Sequence, residues 1–199
     1  KLSIVVADQA CTMAGVDPAT LVTVFTSSTG EPANCHALCE ALAAPERLVS
    51  PTRFTNSVHN AAGGYWHIAV QGRAPSTSLA AFDASFGAGL LEAAAQCVAM
   101  QQPVLLVAAD VPYPEPLHAK RPIADAFGVA LLLAPGTGLR LSLQDDAPST
   151  ACGHAGLDAV RENIPAARAL PLLQAIASGA PARLRIEGLP GCSLLAELS

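Results

Sequence analysis

Charge is scarce in this chain. Only 14% of its 199 residues are Asp, Glu, Lys or Arg, and 16 acids against 11 bases leave a net charge of −5. That balance excludes the basic surface on which nucleic-acid binding depends. Long apolar runs are missing as well. No stretch reaches the roughly 18 residues that a bilayer-crossing helix needs, so no membrane span is expected. The six cysteines (Cys11, Cys35, Cys39, Cys97, Cys152, Cys192) stand singly. Cys35 and Cys39 lack the two-residue gap of a zinc site and have no second pair, so no metal is expected. They read as reduced thiols of a cytoplasmic protein. Repeats and low-complexity tracts are absent, and no cofactor is expected.

What is present is apolar. Hydrophobic residues make up 51% of the chain, which is high for a domain of this size. The surplus must be core, or surface buried against a partner. The length suits one good-sized domain. The chain begins at Lys1 without a methionine, on a helix-like stretch and with no signal peptide, so a preceding piece is expected.

Patterning divides the chain into elements. Leu2 to about Val16 reads as a helix, stopped by Gly15 and Asp17-Pro18. Leu21–Thr26 is β-branched and reads as a buried strand. Ser27–Glu31 is a turn and Ala33–Ala44 a helix. Ser50–Thr55 reads as irregular, and Asn56–Gln71 has helical spacing. Ser78–Phe82 reads as a short buried strand, Ala84–Met100 as a long helix, and Pro103–Ala109 as a continuous apolar strand. Val111–Pro122 carries several prolines and reads as a loop, followed by a third buried strand over Ala126–Leu133. Beyond it, Leu139–Leu143 alternates as a half-exposed strand. Ala147–Asn163 reads as a polar loop, Pro165–Ser178 as a helix, and Ala182–Ile186 and Ser193–Leu198 as short strands. Continuously apolar strands alternating with helices predict an α/β fold with a mainly parallel sheet covered on both faces.

The corner at Asp83 carries the most information. A short strand runs into a helix that is apolar nearly all round (Phe86, Leu90, Leu91, Ala94, Cys97, Val98). Such a helix is central and buried. Gly87 and Gly89 lower its stability, so close backbone packing is expected there. The helix N-terminus offers unpaired N–H groups and partial positive charge. It suits a reactive thiolate. It equally suits an inert acid, since Asp is among the best N-caps, worth about 1 kcal/mol. Cap is the plain reading of Asp83. A chemical role for its carboxylate and a contact role with substrate or partner are the alternatives.

At this point the chain resembles the N-terminal half of a β-ketoacyl synthase, in the thiolase-fold superfamily. The likeness covers about residues 20 to 134 and is gapless from Ser50 to Asp110. Ser50-Pro51 and Asn60 match the family's Ser-Pro and Asn-Met-x-Ala-Gly segment, with Gly64 on its glycine. Pro75-Ser76 matches Gly-Pro-Ser, although Ala74 stands on the glycine. Phe82-Asp83-Ala84-Ser85 falls on Ala-Cys-x-Ser. The resemblance implies half of a thiolase-like fold with a buried central helix. It implies one domain over residues 1–199, with a divergent tail over 135–199.

The departures bear on function. Asp83 replaces the cysteine that would carry the acyl chain. The family's second half supplies two histidines, a lysine and glycine-rich oxyanion segments, and none of these is found after Ala134. His154 reads as a surface-loop histidine. The combination is similar to the chain-length factors of aryl polyene clusters, which have lost the cysteine and pair with an active synthase. The resemblance therefore implies a non-catalytic subunit in a heterodimer with a full-length ketoacyl synthase, reaching acyl carrier protein through the complex. In the family, Ser78, Leu79, Ala80, Ala81 and Phe82 lie at the dimer interface. By the same carry-over, Thr52, Arg53, Phe54, Val58, His59 and Phe86 are acyl-tunnel or interface candidates.

Each of these has a plainer reading. Phe54 and Val58 could be core, Arg53 a solvated charge, His59 a satisfied histidine and Trp66 simple packing. His118, Lys120 and Arg121 form a basic cluster that could dock an acidic carrier or be merely solvated. Two other functions stay open. One is a decarboxylase or acyltransferase using Asp83, Cys35, Cys97 or Cys152. The other is a carrier-binding module acting alone.

Overall fold

The computed structural model describes every residue from Lys1 to Ser199. The helices are α1 (Leu2–Ala14), α2 (Pro32–Ala43), α3 (Pro51–Thr55), α4 (Ala61–Val70), α5 (Ser85–Met100), α6 (Ala155–Asn163) and α7 (Leu170–Ser178). The strands are β1 (Val22–Thr26), β2 (Ser76–Leu79), β3 (Val104–Asp110), β4 (Phe127–Leu133), β5 (Leu139–Asp145), β6 (Ala182–Glu187) and β7 (Cys192–Leu198).

The first sheet has the order β2-β1-β3-β4. β1 runs parallel to both β2 and β3, and β4 returns antiparallel to β3. Every residue of β1 and β3 is buried. The period-two alternation of a strand sends their side chains to two different cores. Leu21, Phe25, Leu105 and Val107 meet Ala7 and Cys11 of α1 and Trp66 of α4. Val22, Val24, Val104, Leu106 and Ala108 meet Phe86, Leu90, Ala93 and Cys97 of α5.

The second sheet is antiparallel, in the order β5-β7-β6. Its Leu184, Ile186, Leu194 and Ala196 close the same core from the far side of α5 and α7. The layers are therefore helix, sheet, helix, sheet. By alternation, the opposite face of β6 carries Arg183 and Arg185. Arg183 pairs with Glu197 at 3.4 Å, and Arg185 donates to Ser193 Oγ at 2.9 Å.

α5 is the central helix that the sequence predicts, and its glycines explain how it fits. A Cβ on Gly87 would lie 2.3 Å from the Glu187 carbonyl oxygen, and one on Gly89 would lie 2.7 Å from Thr26 Cγ2. Only glycine lets both sheets approach so closely. The cover ends along the helix, because Val98 and Met100 in its last turns are exposed.

Several elements differ from expectation. Pro51–Thr55 is a short helix, not irregular chain. The Ser50 hydroxyl caps it by accepting from the Arg53 N–H, and Pro51 takes the first helical position. α4 begins at Ala61, not at Asn56. β2 lies earlier than expected, over Ser76–Leu79, so Ala80, Ala81 and Phe82 fall outside it. β2 and β4, both expected to be buried, are the two edge strands of the sheet and are mostly half-buried. The expected loop over Ala147–Asn163 ends in α6. The expected helix from Pro165 opens as a 3-10 turn, Pro165–Ala169, before α7 begins.

Candidate functional site

The chain leaves β2 at Leu79 and turns sharply into α5. Ser85 ties this corner. Its Oγ accepts from the Ala81 N–H at 3.0 Å and donates to the Phe82 carbonyl at 2.7 Å. Phe82 opens a 3-10 turn, Phe82–Ala84, with φ at 53°, in the left-handed region. That region is disfavoured for a bulky side chain.

Asp83 does not cap the helix, contrary to its plain reading. With Ser85 meeting the local polar groups, the carboxylate turns to a loop far along the chain. Arg121 Nη2 donates to Asp83 Oδ1 at 2.7 Å and also to Ser28 Oγ at 2.6 Å. The Arg121 guanidinium lies over the Phe82 ring, 3.4 Å from its centroid. This corrects the basic cluster as well. Lys120 is exposed and His118 half-buried, but Arg121 is folded inward as a counter-ion and leaves no free three-charge patch.

Ser28 is itself anchored. The buried Asp110 closes β3, and its Oδ1 accepts from Ser28 N at 2.7 Å, Thr29 N at 3.1 Å and Ser27 Oγ at 3.0 Å. Its Oδ2 accepts from Ala166 N at 2.8 Å. A buried carboxylate needs such donors to offset its lost hydration. Sequence reasoning passed over Asp110. The available signal was an acid placed directly after a run of six apolar strand residues, Val104–Ala109. Asp110, Ser28, Arg121 and Asp83 thus form one polar chain from the core to the corner.

Two cavities adjoin these elements. One of about 370 Å³ lies between Phe82–Asp83 and the β6–β7 turn at Gly188 and Leu189. The other, about 460 Å³, lies at the carboxyl ends of β1 and β3 and is lined in part by Phe25, Val58, His59 and Tyr65.

The remaining candidates fall into three groups. Thr52, Arg53 and Phe54 sit exposed on α3, with Val58 and His59 exposed on the turn into α4. Phe54 and Val58 are therefore not core, at 64% and 50% exposure. His59 Nε2 lies 3.3 Å from the Ser27 carbonyl oxygen. Ser78 and Leu79 belong to β2, the open edge of its sheet. Phe86 is fully buried among core residues and presents no surface to a tunnel.

The thiols sit away from the corner. Cys97 is buried, with Sγ 3.7 Å from the Leu133 carbonyl oxygen, and burial pushes its pKa up. Burial also raises Cys152, with the nearby Asp158 charge adding to it. Cys35 is exposed on α2. No group of three or more His, Cys, Asp or Glu side chains comes together to hold a metal ion. No helix is long and apolar enough to cross a membrane. What stands at the corner is a carboxylate neutralised by a guanidinium, an arrangement that accepts hydrogen bonds and offers no thiolate.

Comparison with known proteins bears on this geometry. The family model described as beta-ketoacyl synthase, N-terminal domain, matches residues 1–187. No curated protein matches the chain. Among solved structures, a chain from the ketosynthase ApeO in complex with its chain length factor ApeC, from Xenorhabdus doucetiae, is 26% identical. The alignment covers 98% of this chain and 76% of that one, with a TM-score of 0.74. The ishigamide ketosynthase/chain length factor aligns over 99% of this chain and 79% of its own at 16% identity and a TM-score of 0.63. The 3-oxoacyl-(acyl carrier protein) synthase III FabH of Pseudomonas aeruginosa PAO1 aligns over 99% and 81% at 15% identity and 0.57. The last two likenesses establish a shared thiolase-like fold. With its buried central helix, its mainly parallel sheet and a match over residues 1–187, this chain belongs to the β-ketoacyl synthase N-terminal domain family.

Proposed function

We propose that this chain is a non-catalytic chain-length-factor subunit, which pairs with an active ketosynthase and shapes that partner's acyl tunnel. The observation that carries the reading is the corner itself. The strand, turn and buried helix of a condensing enzyme are all present, and Asp83 stands where the resemblance puts the acyl-carrying cysteine. Its carboxylate is committed to Arg121 at 2.7 Å. Condensation needs a nucleophile to hold one acyl group and basic groups to activate the second.

Two further features support a partner. β2 is an open sheet edge, and an unpaired edge is a template for another strand. Large apolar side chains are exposed on the flanking helices, including Phe54 on α3 and Tyr65 and Ile68 on α4. The similarity to a chain of the ApeO–ApeC complex supports a ketosynthase as the partner. On this reading the products are polyene or fatty-acyl chains built on a carrier protein, and Thr52, Phe54, Val58 and His59 lie near the growing chain.

Co-expression with a full-length ketosynthase tests the reading, with the native mass of the purified species as readout. A one-to-one heterodimer is expected. A chain that stays alone beside the synthase refutes it. An enzymatic role has its own test. Purified chain incubated with malonyl-carrier protein is expected to show no turnover, and turnover lost on Asp83→Ala would replace the subunit reading with an enzyme.

A further inference from the structure

Phe82 is costly where it stands. Its backbone is left-handed, with φ at 53°, a conformation that must be held by its surroundings. Phe82 as a residue is 65% exposed and belongs to none of the buried core clusters. Core packing therefore does not explain it. An exposed side chain would ordinarily move among rotamers, but this one is pinned. Arg121 covers one face at 3.4 Å, and Arg121 is held in turn by Asp83 and Ser28. Ser28 is fixed by the buried Asp110. Phe82 also lines the cavity of about 370 Å³. The open edge β2 ends three residues earlier, at Leu79. The neighbours Ala81 and Ala84 are small, so Phe82 is the bulky group of the corner.

A rigid exposed aromatic is suited to contact, because little conformational entropy is lost when it is met. Held still, it also resists displacement, which a wall must do and a free side chain cannot. Asp83 gains a purpose on this view. It is the counter-ion that keeps Arg121 on the ring.

Resting on the chain-length-factor reading, we propose that Phe82 is the stop against which the partner's growing acyl chain ends, and that Arg121 is the positioning residue holding it there. A methylene of misfit against a wall shifts specificity by roughly 10- to 200-fold, enough to separate products one extension apart.

The test uses the complex purified from co-expression with a full-length ketosynthase, supplied with malonyl-carrier protein, and product lengths read by mass spectrometry. Phe82→Ala and Phe82→Leu are expected to form the complex and to move the main product up by about one extension unit. Arg121→Met is expected to broaden the distribution in the same direction. Arg121→Lys, which keeps a cation for Asp83 and the ring, is expected to restore most of the native profile. The double variant Phe82→Ala, Arg121→Met is expected to go no further than Phe82→Ala, since Arg121 acts through the ring. Unchanged lengths from a complex carrying either Phe82 variant overturn the proposal. So does lowered complex yield at constant length, the mark of a ring that serves only docking. An additive double variant overturns the positioning role. Failure of the unaltered chain to co-purify with the synthase removes the subunit reading itself, and the proposal with it.

Discussion

At the scale of single residues, the decisive groups are polar ones held by partners distant in sequence. Asp110 is the clearest case. Its two oxygens take N–H donors from Ser28 and Thr29 on one side and from Ala166 on the other. Asp110→Asn keeps the shape but turns one acceptor into a donor facing an N–H group. That substitution is expected to cost about 3 kcal/mol, from charged hydrogen bonds lost and a buried donor left unmet. Urea denaturation checks it, and a loss under 1 kcal/mol would mean that the network is loosely held. Asp83 is the opposite case. Sequence reasoning located it correctly at the corner, but its local propensity as a cap did not decide its bonding. No side chain caps α5; Ser85, two residues on, instead ties the corner through the Ala81 N–H and the Phe82 carbonyl.

At the scale of elements, α6 was hidden in the sequence. Its apolar stripe is short, Leu157 and Val160 leading to Ile164, and is masked by the polar residues around it. Val160 and Ile164 pack in a small cluster with Ile123 and Ala167, and charge adds to that packing. Arg161 is buried and reaches Asp158 at 3.1 Å, Glu162 at 3.1 Å and Ser149 at 3.0 Å. Its carbonyl accepts from Arg168, which pairs with Glu187 of β6 at 2.6 Å. Asp158 also accepts the Cys152 N–H at 2.7 Å. That backbone bond, helped by Arg161, holds its carboxyl below the ordinary value of 3.8. A depressed pKa means that the ionised form stabilises the fold. The contribution is complete above the ordinary value and disappears as pH falls through the depressed one. Asp158→Asn should therefore lower the Tm at neutral pH, with the gap from the unaltered chain narrowing below about pH 3.8. Thermal melts across that range test it, and a constant gap would contradict it. α3 was missed for a different reason. Its signals, Ser50 as cap and Pro51 at the first position, were present in the sequence, but five residues carry too little periodicity to read.

At the scale of the whole molecule, the proposed assembly depends on the open edge at β2. In the parallel ladder, Thr23 N bonds Pro75 O and Ser27 N bonds Leu79 O. Odd-numbered residues of β2 thus face β1, and the backbone of Ser78 faces outward. Proline is tolerated at an edge position whose N–H is not used within the sheet, and it blocks pairing there. Ser78→Pro is expected to leave the monomer's melting temperature within a few degrees of native and to abolish co-purification with a ketosynthase. A variant that still pairs would move the interface away from β2. The apolar surplus in the composition is consistent with this assembly, since Phe54, Tyr65, Ile68 and Val98 remain exposed on the isolated chain.

The sequence alone determined the two central strands, β1 and β3, and the central helix. Continuous apolar runs can settle only inside a covered sheet, and a helix of small residues can settle only between two layers. These are local patterns and demand the same burial wherever the chain leads. The tertiary structure decided the pairing of charges, the state of the corner and the edge left open. Asp83 and Arg121 lie 38 residues apart, and no periodicity links them. Their contact exists because β3 returns the proline-rich loop over the end of β2, and a salt bridge depends on where two side chains arrive in space.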